Sequence, residues 1–172
     1  MGKDLSGEDL HGKDLSNHDL SNADLTDANL SGANLKGVEM WEAILFNANL
    51  TNANLLGVSA AHAKMSYANL SGANLFHANL FHATLVDADL SGAILCGAQL
   101  TSADLTDAIL FGADLSDANL HYANLTDADL GAANLKGADL SEANLTGADL
   151  TGTKLTGVTL TGATMPDGTV HE

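Results

Sequence analysis

The sequence predicts an all-β fold, a parallel β-solenoid wound in five-residue steps, and three observations carry that prediction. Leucine stands at every fifth residue from Leu5 to Met165, replaced only at Met40, Ala60, Met65 and Met165, with no insertion or deletion across 33 repeats. Alanine stands two residues before this centre in 25 of the 33 repeats. Gly, Asn or Asp stands two residues after it in 24 of them.

A period of five fits neither a 3.6-residue helix nor a simple alternating strand. It does fit a short extended piece that bends. Within three extended residues the two end side chains face the same way, so Ala and Leu point inward while the Asp or Asn between them points out. The next two residues, typically Ser or Thr followed by Gly, Asn or Asp, turn a corner at which positive φ is tolerated. Repeated corners wind the backbone into coils, and stacked coils satisfy one another's edges. Four repeats close a coil on two grounds. Val38, Val58 and Val158, the only valines at the alanine position, are spaced by multiples of 20, and the first four alanine positions hold Lys3, Glu8, Lys13 and His18 before Ala23 begins the regular pattern.

The stretches "ANLSGANLKG" and "ADLSDANLHYANLTDADL" resemble the A(D/N)LXX motif of pentapeptide-repeat proteins, in particular the leucine-centred kind common in cyanobacteria. The match runs from residue 3 to residue 165. The resemblance implies a right-handed quadrilateral parallel β-helix with four pentapeptides per coil and a filled Ala/Leu interior. About eight coils stacked ~4.8 Å apart make a rod near 38 Å long. Such a rod is convex all round and leaves no catalytic pocket. The chain, 1–172, reads as one domain: a polar capping coil over 3–22, regular coils over 23–165, and a turn and tail over 166–172, where Pro166 lacks an N–H for the ladder and Asp167-Gly168 favours a turn. Lys3, Glu8, Lys13 and His18 are expected to form a polar lid, stems over the core and heads in water. Val170 is expected to fold over the last coil.

Composition bounds the function. With 22 acidic residues, 6 lysines and no arginine the net charge is −16, which argues against direct binding to nucleic acid or an anionic membrane. A single cysteine, Cys96, excludes an intramolecular disulfide and offers no zinc set. No apolar run approaches the length of a membrane span and no signal peptide opens the chain, so a cytoplasmic protein is expected. "MGKDLS" matches the N-myristoylation pattern, six letters that also match by chance. No cofactor is expected. The constellations of Asp, Ser and His recur because the repeat recurs, and no enzyme is read from them.

Wrapping the chain at 20 residues per coil turns spacing into neighbourhood. Leu56, Phe76 and Cys96 form one outward column with Ile94 beside it, and Trp41, Ala61 and Phe81 form a second on the adjoining face. Aligned apolar neighbours of this kind mark interfaces. His62, His77 and His82 occupy corners in the same quarter. His62 and His82 invite a metal, but no third ligand is apparent. An acidic strip is expected from Asp87, Asp107 and Asp127 in one column and Asp89, Asp129 and Asp149 in the next, with mutual repulsion raising their pKa values. The favoured function is a non-enzymatic interaction scaffold for an unidentified protein, the rod itself being a monomer or weakly self-associating. The alternative is DNA mimicry toward a topoisomerase such as DNA gyrase. The resemblance extends to family members that protect gyrase from quinolones, but their C-terminal dimerisation module, phenylalanine centres and outward loops have no counterpart here. A third reading is a stability element with no strong ligand.

Overall fold

The computed structural model describes residues 2–172; Met1, the first letter of the lipidation pattern, lies outside them. Gly2 packs so closely on the Asn22 carbonyl that any Cβ there would collide with it, a packing reason for the glycine.

Four sides and four corners make each coil. The outward residue of each side pairs in parallel with the residue 20 positions on, from Asp4↔Asp24 through to Asn144↔Thr164, which establishes four pentapeptides per coil. Side one carries Asp4, Asp24, Ile44, Lys64 and Thr84; side two carries Asp9, Asn29 and Asn49; side three carries Asp14, Asn34 and Asn54; side four carries Asp19, Glu39 and Ser59. Every side contributes a single bridging residue, too short a run to count as a strand.

Hydrogen bonding explains the letters of the repeat. In residues 28–32, Ala28 N–H donates to Leu25 C=O (3.0 Å), closing the turn. Asn29 N–H donates back to Glu8 C=O (2.9 Å), while Leu30 N–H and Gly32 N–H donate forward to Asn49 C=O (2.7 Å) and Thr51 C=O (2.9 Å). The fifth N–H, that of Ser31, has no backbone acceptor and donates instead to Asn29 Oδ1 (3.2 Å). The Ser31 hydroxyl donates to the same oxygen (2.7 Å). Asp or Asn before the centre and Ser or Thr after it are therefore one device, an Asx turn that captures the donor the ladder cannot reach.

Asparagine adds a second use. Its amide donates down the stack, as in Asn54→Asn34→Asp14 (3.1 and 3.0 Å) and Asn144→Asn124→Asp104 (3.5 and 3.2 Å). These ladders end on aspartate because a carboxylate accepts but cannot donate further.

The core is a stack of Ala and Leu from Ala23 to Ala148, with Met40 and Met65 filling centre positions and no buried polar or charged side chain among the described residues. The residue after each corner's first sits at positive φ, 53° to 74° through the regular coils. Gly, Asn and Asp adopt this readily, whereas larger residues do so at a cost. Ala132 is among those that carry it, at φ 55°.

The ends differ from expectation in one respect. Lys3, Glu8, Lys13 and His18 are all exposed; Lys3 Nζ reaches Asp19 C=O at 3.5 Å, and His18 Nδ1 lies 3.0 Å from Leu15 C=O. Leu10 and Leu20 beneath them are buried, while Leu5 and Leu15 are partly so. At the other end Val170 does not cover the core. It pairs antiparallel with Thr164 and remains 64% exposed. The tail is held by backbone bonds from Gly162 N–H to His171 C=O and from His171 N–H to Ala163 C=O, both 2.8 Å. It covers the polar edge of one side rather than the apolar end, and Leu155 stays 40% exposed.

Two substitutions test this account. Ala73→Leu overfills a fully buried position and is expected to destabilise by about 1–3 kcal/mol in denaturant unfolding. Ala132→Gly, normally a destabilising change, is expected to stabilise by about 1 kcal/mol because it relieves the positive-φ cost.

Candidate functional site

The repeat loses its regular letters in one region. Five of the seven aromatic residues, Trp41, Phe46, Tyr67, Phe76 and Phe81, fall between residues 41 and 81. Two of them follow a lost Asx turn, with Glu39 two residues before Trp41 and Ile44 two before Phe46; so does Cys96, with Ile94 two before it. Without an Asp or Asn two residues back the Asx turn is not made, and an apolar side chain stands where Ser or Thr is usual; Phe76 and Phe81 keep the turn, their N–H groups donating to Asn74 and Asn79 Oδ1.

Trp41, Phe81 and Ile94 are 45%, 40% and 43% exposed, and Phe76 is at the margin of exposure, while Leu56 and Cys96 are half-buried. Trp41 and Phe81 stand two coils apart with only Ala61 between them in their column. His62 fills that gap from the neighbouring column, edge-on to both rings at centroid distances of 6.5 Å from Trp41 and 5.7 Å from Phe81. His62 also stacks on His82 at 5.3 Å with 9° between the planes, and His82 meets Phe81 at 4.2 Å. The four rings form one cluster at the corner between sides four and one. Phe76 and His77 make a second, smaller one at 4.1 Å on the corner between sides three and four. Phe46 and Tyr67, at 5.2 Å, make a third on the corner between sides one and two.

Sequence spacing found the columns but not the histidine bridge between them, which depends on ring orientation. It also left out Phe46 and Tyr67 as a pair, although the diagonal offset of 21 residues was a signal for them.

Backbone strain is densest in the same place, with Ser102, Tyr122, Ala132 and Glu142 carrying it elsewhere. Glu42, His62, Tyr67, His77 and His82 all sit at positive φ, between 53° and 61°, where the repeat elsewhere favours Gly, Asn or Asp. Each such residue costs on the order of 1 kcal/mol, and costs of this kind cluster at functional positions.

The rod is not convex all round. Glu42, His62, Lys64, His82 and Thr84 line a shallow groove at the edge of side one, against the aromatic cluster. No three His, Cys, Asp or Glu among the described residues are grouped to hold an ion.

The acidic strip also changes. Asp87, Asp107 and Asp127 do form an exposed column, but Ile109 separates Asp89 from Asp129 on side two. Repulsion does not raise Asp149; hydrogen bonds from the Thr151 hydroxyl and N–H hold its carboxyl below the usual carboxylate range. The same Asx geometry acts elsewhere. The Ser6, Ser16 and Ser141 hydroxyls, joined by the N–H groups of the same serines, lower Asp4, Asp14 and Asp139 against a smaller opposing effect of burial.

The fold defines a right-handed β-helix solenoid, a class in which each coil contacts only its neighbours. This chain belongs to the pentapeptide repeat family, whose model, described as "Pentapeptide repeats", matches residues 4–41, 43–80, 73–112, 83–121, 98–137 and 123–162. Among solved structures it is similar to a trypsin-treated form of QnrB1, a plasmid-mediated fluoroquinolone resistance protein, with 19% identity, a TM-score of 0.76, and coverage of 92% of this chain and 86% of that one. It is 36% identical to a pentapeptide repeat protein of the Arabidopsis thaliana thylakoid lumen, over 60% of this chain and 69% of that chain, with a TM-score of 0.51. It is 33% identical to HetL of the cyanobacterium Nostoc sp. strain PCC 7120, involved in heterocyst differentiation regulation, covering 99% and 92% of the two chains with a TM-score of 0.32. A search of curated protein sequences finds no significant match. No helix among the described residues is long and apolar enough to cross a membrane.

The lowered carboxyls fix a pH dependence. Their contribution to stability is fully present above the unfolded aspartate value of about 3.9 and is lost as pH falls through the depressed folded values. Ser141→Ala is expected to move the Asp139 titration upward in carboxyl-detected NMR and to leave unrelated aspartates in place.

Proposed function

We propose that this protein is a non-enzymatic interaction scaffold, and that its docking surface is the aromatic region around Trp41, His62, Phe81 and His82, extended by Leu56, Phe76, Ile94 and Cys96. One observation carries the reading. Residues 43–86 contain no Asp or Glu, in a chain with 22 of them. Because a coil is 20 residues, this acid-free stretch is a belt around the whole rod, about 10 Å tall. It holds four aromatic rings, three of the seven histidines and Lys64, and acidic coils lie on both sides of it.

Such a surface suits a protein partner with an apolar centre flanked by basic side chains. Aromatic residues dominate interface energetics, and depletion of charge marks interface cores. Acidic flanks meet basic ones with gains in encounter rate and register. The cytoplasm is the compartment in which we propose that it acts. The polar residues Lys3, Glu8, Lys13 and His18 serve as a lid in this reading, and the strip from Asp87 to Asp149 serves as part of the acidic flank.

The belt bears on the alternative of DNA mimicry toward a topoisomerase such as DNA gyrase. Sixteen net charges over about 38 Å approach the density of duplex DNA. Duplex DNA carries its charge without a break, however, and two successive coils here carry no acid. The likeness to QnrB1 is one of fold.

Affinity capture with wild type beside Trp41→Ala plus Phe81→Ala tests the proposal. The expected result is a basic protein retained by wild type, lost on the double variant and weakened by added salt. Retention indifferent to the two substitutions would overturn it. In a supercoiling assay, neither inhibition nor protection of gyrase is expected.

A further inference from the structure

We infer that the groove lined by Glu42, His62, Lys64, His82 and Thr84 is a binding site for a phosphate-class oxyanion, free or at the end of a small organic molecule. Lys64 is the only basic residue between Lys36 and Lys136, since the chain has no arginine. It stands inside the acid-free belt rather than among carboxylates, and its side chain is exposed. Two imidazoles and a hydroxyl share the groove with it.

The geometry favours an anion over a metal. His62 and His82 are stacked with their planes 9° apart, so the two rings present their edges side by side and their lone pairs do not converge on one ion. Each neutral imidazole still carries one N–H donor, Lys64 offers three, and Thr84 offers one. These donors lie on two successive coils, about 4.8 Å apart, a spread that a tetrahedral oxyanion with four oxygens spans better than a flat carboxylate. Two carboxylates bracket these donors: Asp104, next after Thr84 on side one, already accepts from the Thr106 N–H and hydroxyl and from the Asn124 amide, and Glu42 lies at the other end. Glu42 begins the column Glu42, His62, His82, one coil from the level of His62 and Lys64 and two coils, about 9.6 Å, from the His82 level. The anion is therefore expected between Lys64, His82 and Thr84, at the far end from Glu42. Phe81, edge-on to both histidines, gives an attached aromatic or apolar group a surface on which to rest.

The site shares His62 and His82 with the docking surface, but its test reads small-anion binding and fails separately from that proposal. The test is a titration of the full chain with inorganic phosphate, and in parallel with phenyl phosphate, at pH 7.5 and constant ionic strength. The readout is the imidazole NMR signals of His62 and His82. Saturable shifts at both are expected, weakened about fivefold in Lys64→Gln and strengthened in Glu42→Gln. Tighter binding of phenyl phosphate assigns the site to an organic phosphate; equal binding assigns it to the free ion. Absence of saturable shifts with either probe, an unchanged titration in Lys64→Gln, or weaker binding in Glu42→Gln would overturn the inference. Both substituted side chains are exposed, and unchanged His77 signals report that the fold is intact.

Discussion

Each regular pentapeptide, with Asp or Asn before its centre, brings five backbone N–H groups, and the tube closes because every one of them finds an acceptor within its own repeat or in a neighbouring coil. Four are met by carbonyls, one in the turn and three in the coils above and below. The fifth is met by the side chain two residues earlier. An unpaired backbone donor costs as much as a lost hydrogen bond, so this accounting leaves little freedom in the choice of letters. Alanine is required where the wall is near, leucine where the centre must be filled, and Asp or Asn where the stray N–H needs an oxygen. The absence of buried unsatisfied side-chain atoms among the described residues follows from the same arrangement.

Departures from the repeat become informative against such a constraint. A lost Asx oxygen leaves the corner without its usual hydroxyl, and in this chain the vacant positions were filled by Trp41, Phe46 and Cys96. A bulky residue at positive φ raises the energy of its corner, and Glu42, His62, Tyr67, His77 and His82 all do so within 41 residues of sequence. Such departures are densest in the coils that lack carboxylates, although Phe111, Tyr122 and the positive-φ residues Ser102, Ala132 and Glu142 lie beyond them.

The charge pattern gives that coincidence a direction. An acidic rod is what an Asp-rich repeat produces without selection for any partner, so the overall charge says little about function. An interruption of it says more. The belt replaces carboxylates with Asn, Ser, Thr, histidine and aromatic rings on all four sides. Its single lysine faces a groove, so the rod has one surface suited to apolar docking and one polar recess beside it.

Most of the fold was legible in the sequence because a strict period converts position into place. Leu5 to Met165 gave the centres, Val38, Val58 and Val158 gave the 20-residue coil, and the columns of Trp41 with Phe81 and of Leu56 with Phe76 and Cys96 followed by arithmetic. Side-chain orientation at the corners does not follow from arithmetic. The tertiary structure decided that His62 leans between Trp41 and Phe81, that Glu42, Lys64 and Thr84 border one groove, and that Val170 pairs with the edge of side one and leaves the apolar end uncovered. It also reversed the expected effect on Asp149, because a hydroxyl and an N–H two residues away act at hydrogen-bond distance whereas the neighbouring carboxylates act through solvent. Periodic backbone bonding is a property of the string of residues; the way unlike side chains lean on one another is a property of the particular coils they meet on.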